Sequence, residues 1–405
     1  MAQRTAESFT TTPREDGGGS APEKQLHTSN EKVEQILQAS RIRDYARLRE
    51  LAAEEGGFVD DLTRRTAWPV LLACNSDETH PDAELVPHPD EAQVDLDVDR
   101  SFVYYPEDES EKRALKRNLA GIIKKVLRRH NMLHYFQGYH DIVQVLLLVL
   151  GEDAAFEAVR RLSLLRIRDF MLPSIAGTEI HLRLLPPILH ALDAELYRHL
   201  SQTQPFFALA ATLTLYAHEI EEYGEIARLF DFVLANEAAV PLYLFAVIVV
   251  SRKKELMKID ANEPELLQAV LSKLPKPLDL EGLIQRTSDV FKTHPPHKLS
   301  GRAWRQVSNY SVLKTTCKPE ELAQQTPEHG ECLFMQQDAE IKRREARALR
   351  HRQLGLLARR YRWPATYAGL VLFPVILAYG STRLPATFWS PMLFHMRQQI
   401  SHVFS

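Results

Sequence analysis

Arg100 and Gln137 are the two side chains whose types and settings suit chemistry on a phosphoryl group. Gln137 lies in Tyr135-Phe136-Gln137-Gly138-Tyr139-His140-Asp141, a neutral amide among aromatics. An amide is a poor general base, but its acceptor oxygen and two N–H donors can hold a water or a phosphoryl oxygen in place. Glutamine positions water in this way in GTP hydrolysis, where catalysis is mostly positioning and charge stabilisation. Arg100 lies thirty-seven residues upstream, closing the run Val94-Asp95-Leu96-Asp97-Val98-Asp99-Arg100. It would supply the cation that developing charge needs. No G-x-x-x-x-G-K-[ST] segment occurs, and Gly17-Gly18-Gly19 alone makes no phosphate loop. Nothing in the chain therefore reads as a nucleotide site of its own.

The two segments read V-x-x-D-x-x-R and Y-x-Q-G-x-x-D. Ahead of them, Arg64-Arg65-Thr66-Ala67-Trp68 reads R-x-x-x-W. In this order and spacing they resemble the TBC domain of Rab GTPase-activating proteins, over roughly residues 64–290. The resemblance implies an all-α fold and a partner, a Rab GTPase in its GTP state. It implies that Arg100 serves as an arginine finger and Gln137 as a glutamine finger, both supplied in trans. Magnesium and GTP would belong to the partner, with no cofactor held by this chain. Gly138 would let the Rab backbone approach closely. Arg64, Trp68, Asp97 and Asp141 are expected to brace the loops rather than touch the partner, and Tyr135 either to touch it or to pack with its hydroxyl partnered. The chain departs from the family pattern at Val94, Ser101, Phe136 and His140, where Ile, Thr, Cys and Asn are usual. None of these removes a catalytic group. His134 and His140 have no Cys or acidic partner at ligand spacing, so no metal site is expected.

The elements that must position these residues read as helices. Val33, Ile36 and Leu37, then Tyr45, Leu48 and Leu51, recur at helical spacing, and Gly56-Gly57 ends that pattern. Residues 62–72 place Arg64 and Trp68 on one helical face. The polar stretch 75–93, with three prolines, reads as a loop delivering the chain to Arg100. From Lys112 to Arg129 an apolar stripe (Leu115, Leu119, Ile122, Ile123, Val126, Leu127) runs beside eight basic residues. That basic face is read as solvated, or as turned toward an acidic partner or anionic lipid. Ile142 to Leu150 is apolar nearly all round apart from Gln144, which implies a buried helix directly behind Gln137. Helical patterns continue to Phe291, and no period-2 strand pattern with hairpin turns occurs. The expected fold class is all-α, with the TBC domain over 30–292 after a disordered tail over 1–29.

Residues 293–336 read as a linker, marked by His294-Pro295-Pro296-His297 and later prolines. A basic juxtamembrane helix is expected over 337–362. It precedes a largely apolar run over 363–380, read as a single transmembrane anchor or a re-entrant hairpin with 384–394 dipping back. Residues 381–405 would form a short lumenal or membrane-associated tail. Most basic residues precede the run, which puts the TBC domain in the cytosol, and a short span suits the thin membrane of the endoplasmic reticulum. A TBC domain joined to such an anchor resembles the membrane-anchored members of the family. That implies a Rab of ER-to-Golgi traffic as substrate, and the endoplasmic reticulum membrane or early Golgi as location, with other membrane proteins there as further partners. A non-catalytic Rab-binding module and an ER-membrane scaffold are the competing readings.

Composition bounds these readings. The 405 residues are 45% apolar, enough for a sizeable core, and the net charge of −3 signals no nucleic-acid partner. Cys74, Cys317 and Cys332 are odd in number and scattered, which argues against a disulfide framework or a zinc site. The N-terminus lacks the apolar region of a signal peptide.

Overall fold

Regularly spaced apolar residues and aspartate caps account for the first helices. The computed structural model describes residues 21–74, 85–103, 108–316 and 318–383. Among these residues every regular element is helical, as expected. The chain divides into two units, residues 1–338 and 339–405.

In the first unit, α1 (Ala21–Ile42) begins inside the stretch expected to be disordered, of which residues 1–20 lie outside the described residues. Asp44 caps α2 (Tyr45–Ala53) by accepting from the Arg47 N–H, and Asp60 caps α3 (Asp61–Leu71) at the Thr63 N–H. Next come α4 (Glu91–Val98) and α5 (Glu109–Arg129), the latter capped by Asp108. α6 (Tyr139–Leu150) and α7 (Glu152–Leu165) follow. Short helices α8 (Ala176–Leu182), α9 (Leu185–Leu192), α10 (Ala194–His199) and α11 (Leu209–Leu213) lead to the long helices α12 (Tyr223–Ala235) and α13 (Val240–Ser251). Then α14 (Lys253–Leu256), α15 (Pro264–Leu271) and α16 (Leu280–Thr293) follow.

Two helices form the centre because they have no polar face to keep in water. Every residue of α13 from Val240 to Val249 is buried, and α13 packs against α9 and α16. α6 is the other, packed on α3, α5 and α7. Its one central polar residue, Gln144, accepts the Phe102 N–H at 3.1 Å. The helix expected behind Gln137 is therefore both buried and bonded to the segment that follows Arg100.

Residues 293–336 are not a linker. They form α17 (Ala303–Gln306), α18 (Val312–Thr315), α19 (Pro319–Ala323) and the first turns of α20 (Pro327–Arg383). Val307, Val312, Leu313, Leu322 and Phe334 are buried. Buried Asp169 ties α18 down by accepting the Val312 N–H at 3.1 Å and the Ser311 hydroxyl. Arg161 donates to the carbonyls of Leu72 at 2.7 Å and Gln325 at 3.0 Å. Gly330 lies so close to α7 that a Cβ there would sit 3.0 Å from Leu165. The prolines and polar residues that suggested a connector start short helices and satisfy buried backbone groups.

The second unit continues α20 to Arg383. Among the described residues no helix is long and apolar enough to cross a membrane. The span expected over 363–380 finds no support. Its strongly apolar stretch runs only from Leu370 to Ala378, about 14 Å of helix against about 30 Å of hydrocarbon. The return at 384–394 and the rest of the expected tail lie outside the described residues.

Candidate functional site

The helix that carries Arg100 is short and acidic, and α5 holds it. Glu91 is paired with Arg128 by two hydrogen bonds of 2.6 Å, Asp95 with Lys124 at 2.6 Å, and the Asp99 carbonyl accepts from Lys116 at 2.6 Å. The guanidinium of Arg128 holds the Glu91 carboxyl down at about 2. Two of the eight basic residues of α5, Lys124 and Arg128, are thus turned toward acidic side chains of α4 in the same chain. Asp97, at the last turn of α4, is buried and accepts three side-chain bonds. They come from Gln93 at 3.0 Å, Arg100 at 2.6 Å and the Tyr135 hydroxyl at 2.9 Å. Arg100 also donates through Nε to the Leu96 carbonyl at 3.3 Å, yet its side chain is 68% exposed.

Gln137 is exposed at the entrance to α6, immediately before a turn that only glycine fits. Gly138 has φ +97° and is buried, and a Cβ there would lie 2.5 Å from Thr214 Cγ2. Thr214 of this chain thus approaches Gly138 closely, which a side chain at that position would prevent. On the N-terminal side the Tyr135 N–H donates to Asp90 at 2.9 Å, tying the glutamine loop to the start of α4. Beneath it Tyr139 is buried, its hydroxyl 2.6 Å from Ser163 Oγ, and Phe136 packs on Tyr139 and Phe170.

Arg100 and Gln137 open onto one groove of about 270 Å³, whose walls include Phe102, His140, Asp141 and His218. Asp141 joins the two histidines. Its Oδ1 lies 3.2 Å from His140 Nε2, and its Oδ2 bonds His218 Nδ1 at 3.0 Å. His140 Nδ1 lies 3.0 Å from the Tyr135 hydroxyl. Burial pulls the His140 ring below its ordinary pKa, although Asp141 and Asp97 oppose it. Asp141 does the opposite for exposed His218, raising it through their hydrogen bond. Burial and the charge of Asp97 push the Tyr135 hydroxyl far up, so it stays protonated and donating. Among the described residues no group of His, Cys, Asp and Glu could hold a metal ion.

Arg64 and Trp68 brace the fold at a distance from this groove. Both converge on Asp231 of α12, which is fully buried. Arg64 reaches it through Nε and Nη2, each at 3.1 Å, and the Trp68 indole donates at 2.8 Å. The Phe58 N–H adds a fourth donor at 3.0 Å, and Arg64 Nη1 turns to Asp61 at 2.9 Å. Burial raises the Asp231 carboxyl, but four donors aimed at it require the ionised form. Burial works against the Arg64 charge too, and Asp231 outweighs it, so Arg64 is held above its ordinary value. Asp231, Thr214 and His218 escaped sequence reading because each meets its partner only through the fold. The one available signal was a lone Asp inside the apolar run Leu229-Phe230-Asp231-Phe232-Val233.

Comparison with known proteins identifies the family. The Rab-GTPase-TBC domain family model matches residues 61–257, a span containing every candidate residue named above. TBC1 domain family member 20 of Bos taurus is 37% identical over 308 residues, covering 73% of this chain and 76% of that protein. The chain belongs to the Rab-GTPase-TBC domain family. The Homo sapiens protein of the same description is 35% identical over 339 residues, 81% of this chain and 84% of the relative. GTPase-activating protein gyp10 of Schizosaccharomyces pombe is 30% identical over 311 residues, 74% and 82% of the two chains. The family expected from three short segments is thus borne out, and the chain carries a Rab GTPase-activating TBC domain. Its folded unit extends beyond the matched span to residue 338.

Proposed function

We propose that the TBC domain accelerates GTP hydrolysis on a Rab GTPase by placing Arg100 and Gln137 against the partner's nucleotide. One observation carries this reading: the two side chains are exposed on one groove, while the groups that hold them are buried and bonded. Of the five N–H groups on the Arg100 guanidinium, two are used within the described residues. Three remain to meet charge developing on phosphoryl oxygens. The Gln137 amide can orient the attacking water while donating to a neighbouring group. GTP and its magnesium ion are the partner's, and this chain contributes charge and geometry. An arginine finger contributes about 10³–10⁵ in rate, or about 4–7 kcal/mol of barrier.

Phosphate release from GTP-loaded Rabs, with and without the full chain, tests the reading. Acceleration of at least one Rab, lost in Arg100→Ala and in Gln137→Ala, is the expected result. Variants that keep the acceleration would sink the two-finger mechanism. A chain that binds a GTP-loaded Rab without accelerating it would be a binding module.

The substrate we propose is a Rab of ER-to-Golgi traffic, and the place of action the cytosolic face of the endoplasmic reticulum or early Golgi. Support comes from the similarity to TBC1 domain family member 20 and from the second unit. There Leu354, Leu356, Val371, Leu372, Phe373 and Val375 are exposed along α20, after a run rich in arginine. Such a segment suits attachment to an anionic membrane. Co-flotation of the full chain with liposomes tests this, and a chain that stays with the soluble fraction counts against it.

A further inference from the structure

The segment that brings Ala217 and His218 to the groove follows unusual backbone. Leu215 and Tyr216 are consecutive non-glycine residues with φ of +50° and +69°, and both are buried. Such conformations cost about 1–3 kcal/mol each and persist only where surrounding packing enforces them. Here the Tyr216 hydroxyl is fixed to the Pro241 carbonyl at 2.8 Å. The turn they make sets Thr214 against Gly138 and carries His218 to Asp141. His218 is left with 63% of its side chain exposed, on the same groove as Arg100 and Gln137.

We propose that His218 is a third group that binds the GTPase, donating from an imidazolium Nε2–H to an anionic oxygen of the GTP-loaded partner. The proposal rests on the GTPase-activating reading above. A carboxylate only accepts, so the bond to Asp141 keeps a proton on Nδ1 and makes Nε2 the nitrogen that protonation turns into a donor. Asp141 thereby orients the ring and favours its charged form. The charged or titratable groups around it are Asp141 and His140 from α6, Glu219 beside it in the chain, and Arg100 on the same groove. The anionic oxygen belongs either to a nucleotide phosphate or to a carboxylate of the Rab.

The test uses the full chain and a GTP-loaded Rab that it accelerates, with kcat and KM measured from about pH 6 to about pH 8, across the ordinary range of His. His218→Ala is expected to raise KM about tenfold, the scale of one hydrogen bond to a charged group, with kcat little changed. The wild-type KM rises with pH as the ring loses its proton. In His218→Gln, which keeps a donor and cannot titrate, the KM stays flat, and this variant also guards against a folding defect in the alanine form. Equal KM and equal pH profiles in wild type and both variants would overturn the proposal, as would a loss confined to kcat. Affinity of each variant for the GDP-loaded Rab separates the sources: a phosphate contact at the terminal phosphoryl group disappears there, and a carboxylate contact persists. A wild-type chain that accelerates no Rab would overturn the parent reading and this one together, whereas a flat His218 result would overturn this one alone.

Discussion

Arg64 meets Asp231 through two nitrogens and Asp61 through a third, with 8% of its side chain exposed. Arg100 meets Asp97 through one nitrogen and keeps 68% exposed. In both pairs the aspartate is buried, so each arginine has an anchor of the same kind. The difference lies in the donors left over. Arg64 is surrounded by acceptors belonging to its own fold, which makes it a brace between α3 and α12. Arg100 is held at its base, and its outer donors face the groove. An exposed arginine on a buried carboxylate is aimed without being consumed, the arrangement that the proposed finger requires and that a brace such as Arg64 lacks.

The largest effects should fall on opposite observables for the two pairs. Arg100→Ala is expected to lower Rab GTP hydrolysis about 10³–10⁵-fold in a phosphate-release assay. Its cost in urea denaturation should be about 1 kcal/mol, for one partner lost by Asp97. Arg64→Ala should leave Asp231 buried and uncompensated, at about 3–5 kcal/mol of stability by denaturation. A stable Arg64→Ala protein without activity would break the comparison, since Arg64 would then act on the partner directly.

Smaller changes sharpen it. Gly138→Ala should cost about 1–3 kcal/mol through forced φ and the clash with Thr214. Thr214→Ala in the same chain should recover part of that loss, readable as a coupling in a double-mutant cycle. Glu91→Gln should cost about 1 kcal/mol at neutral pH, as a partly exposed pair does. Its sign against pH follows from a depressed carboxyl. The stabilisation is complete above the ordinary 4.5 and is lost as pH falls toward about 2, so the gap from wild type should close over that interval. A gap that persists below pH 2 would assign the effect to packing.

The segments around Arg100 and Gln137 were legible because their groups lie within a few residues of one another. Asp97 reaches Arg100 three residues on, and Gly138 adjoins Gln137. The all-α class was equally open to reading, since long helices such as α5 and α6 carry their periodicity in full. What stayed hidden are contacts made across long loops: Asp231 lies 167 residues from Arg64, and His218 lies 77 from Asp141. Residues 293–336 misled for another reason. Four-residue helices such as α17 and α18 are too short to show a period, and their serines and threonines look solvated until Asp169 is seen among them. The span read over residues 363–380 is unconfirmed, since among the described residues no helix is long and apolar enough to cross a membrane.

The clamp of α5 on α4 has a consequence for how the assay buffer acts. The Lys124–Asp95 and Arg128–Glu91 contacts sit where water reaches them, with 23% and 34% of the basic side chains exposed. At an ionic strength of 0.15 M the screening length is about 8 Å, and it shortens to about 3 Å at 1 M. Added salt therefore loosens the support of Arg100 from behind, independently of any charge on the Rab. If Arg100 acts as proposed, part of the ionic-strength dependence of the turnover rate is expected to belong to the scaffold and to persist when the GTPase is saturating.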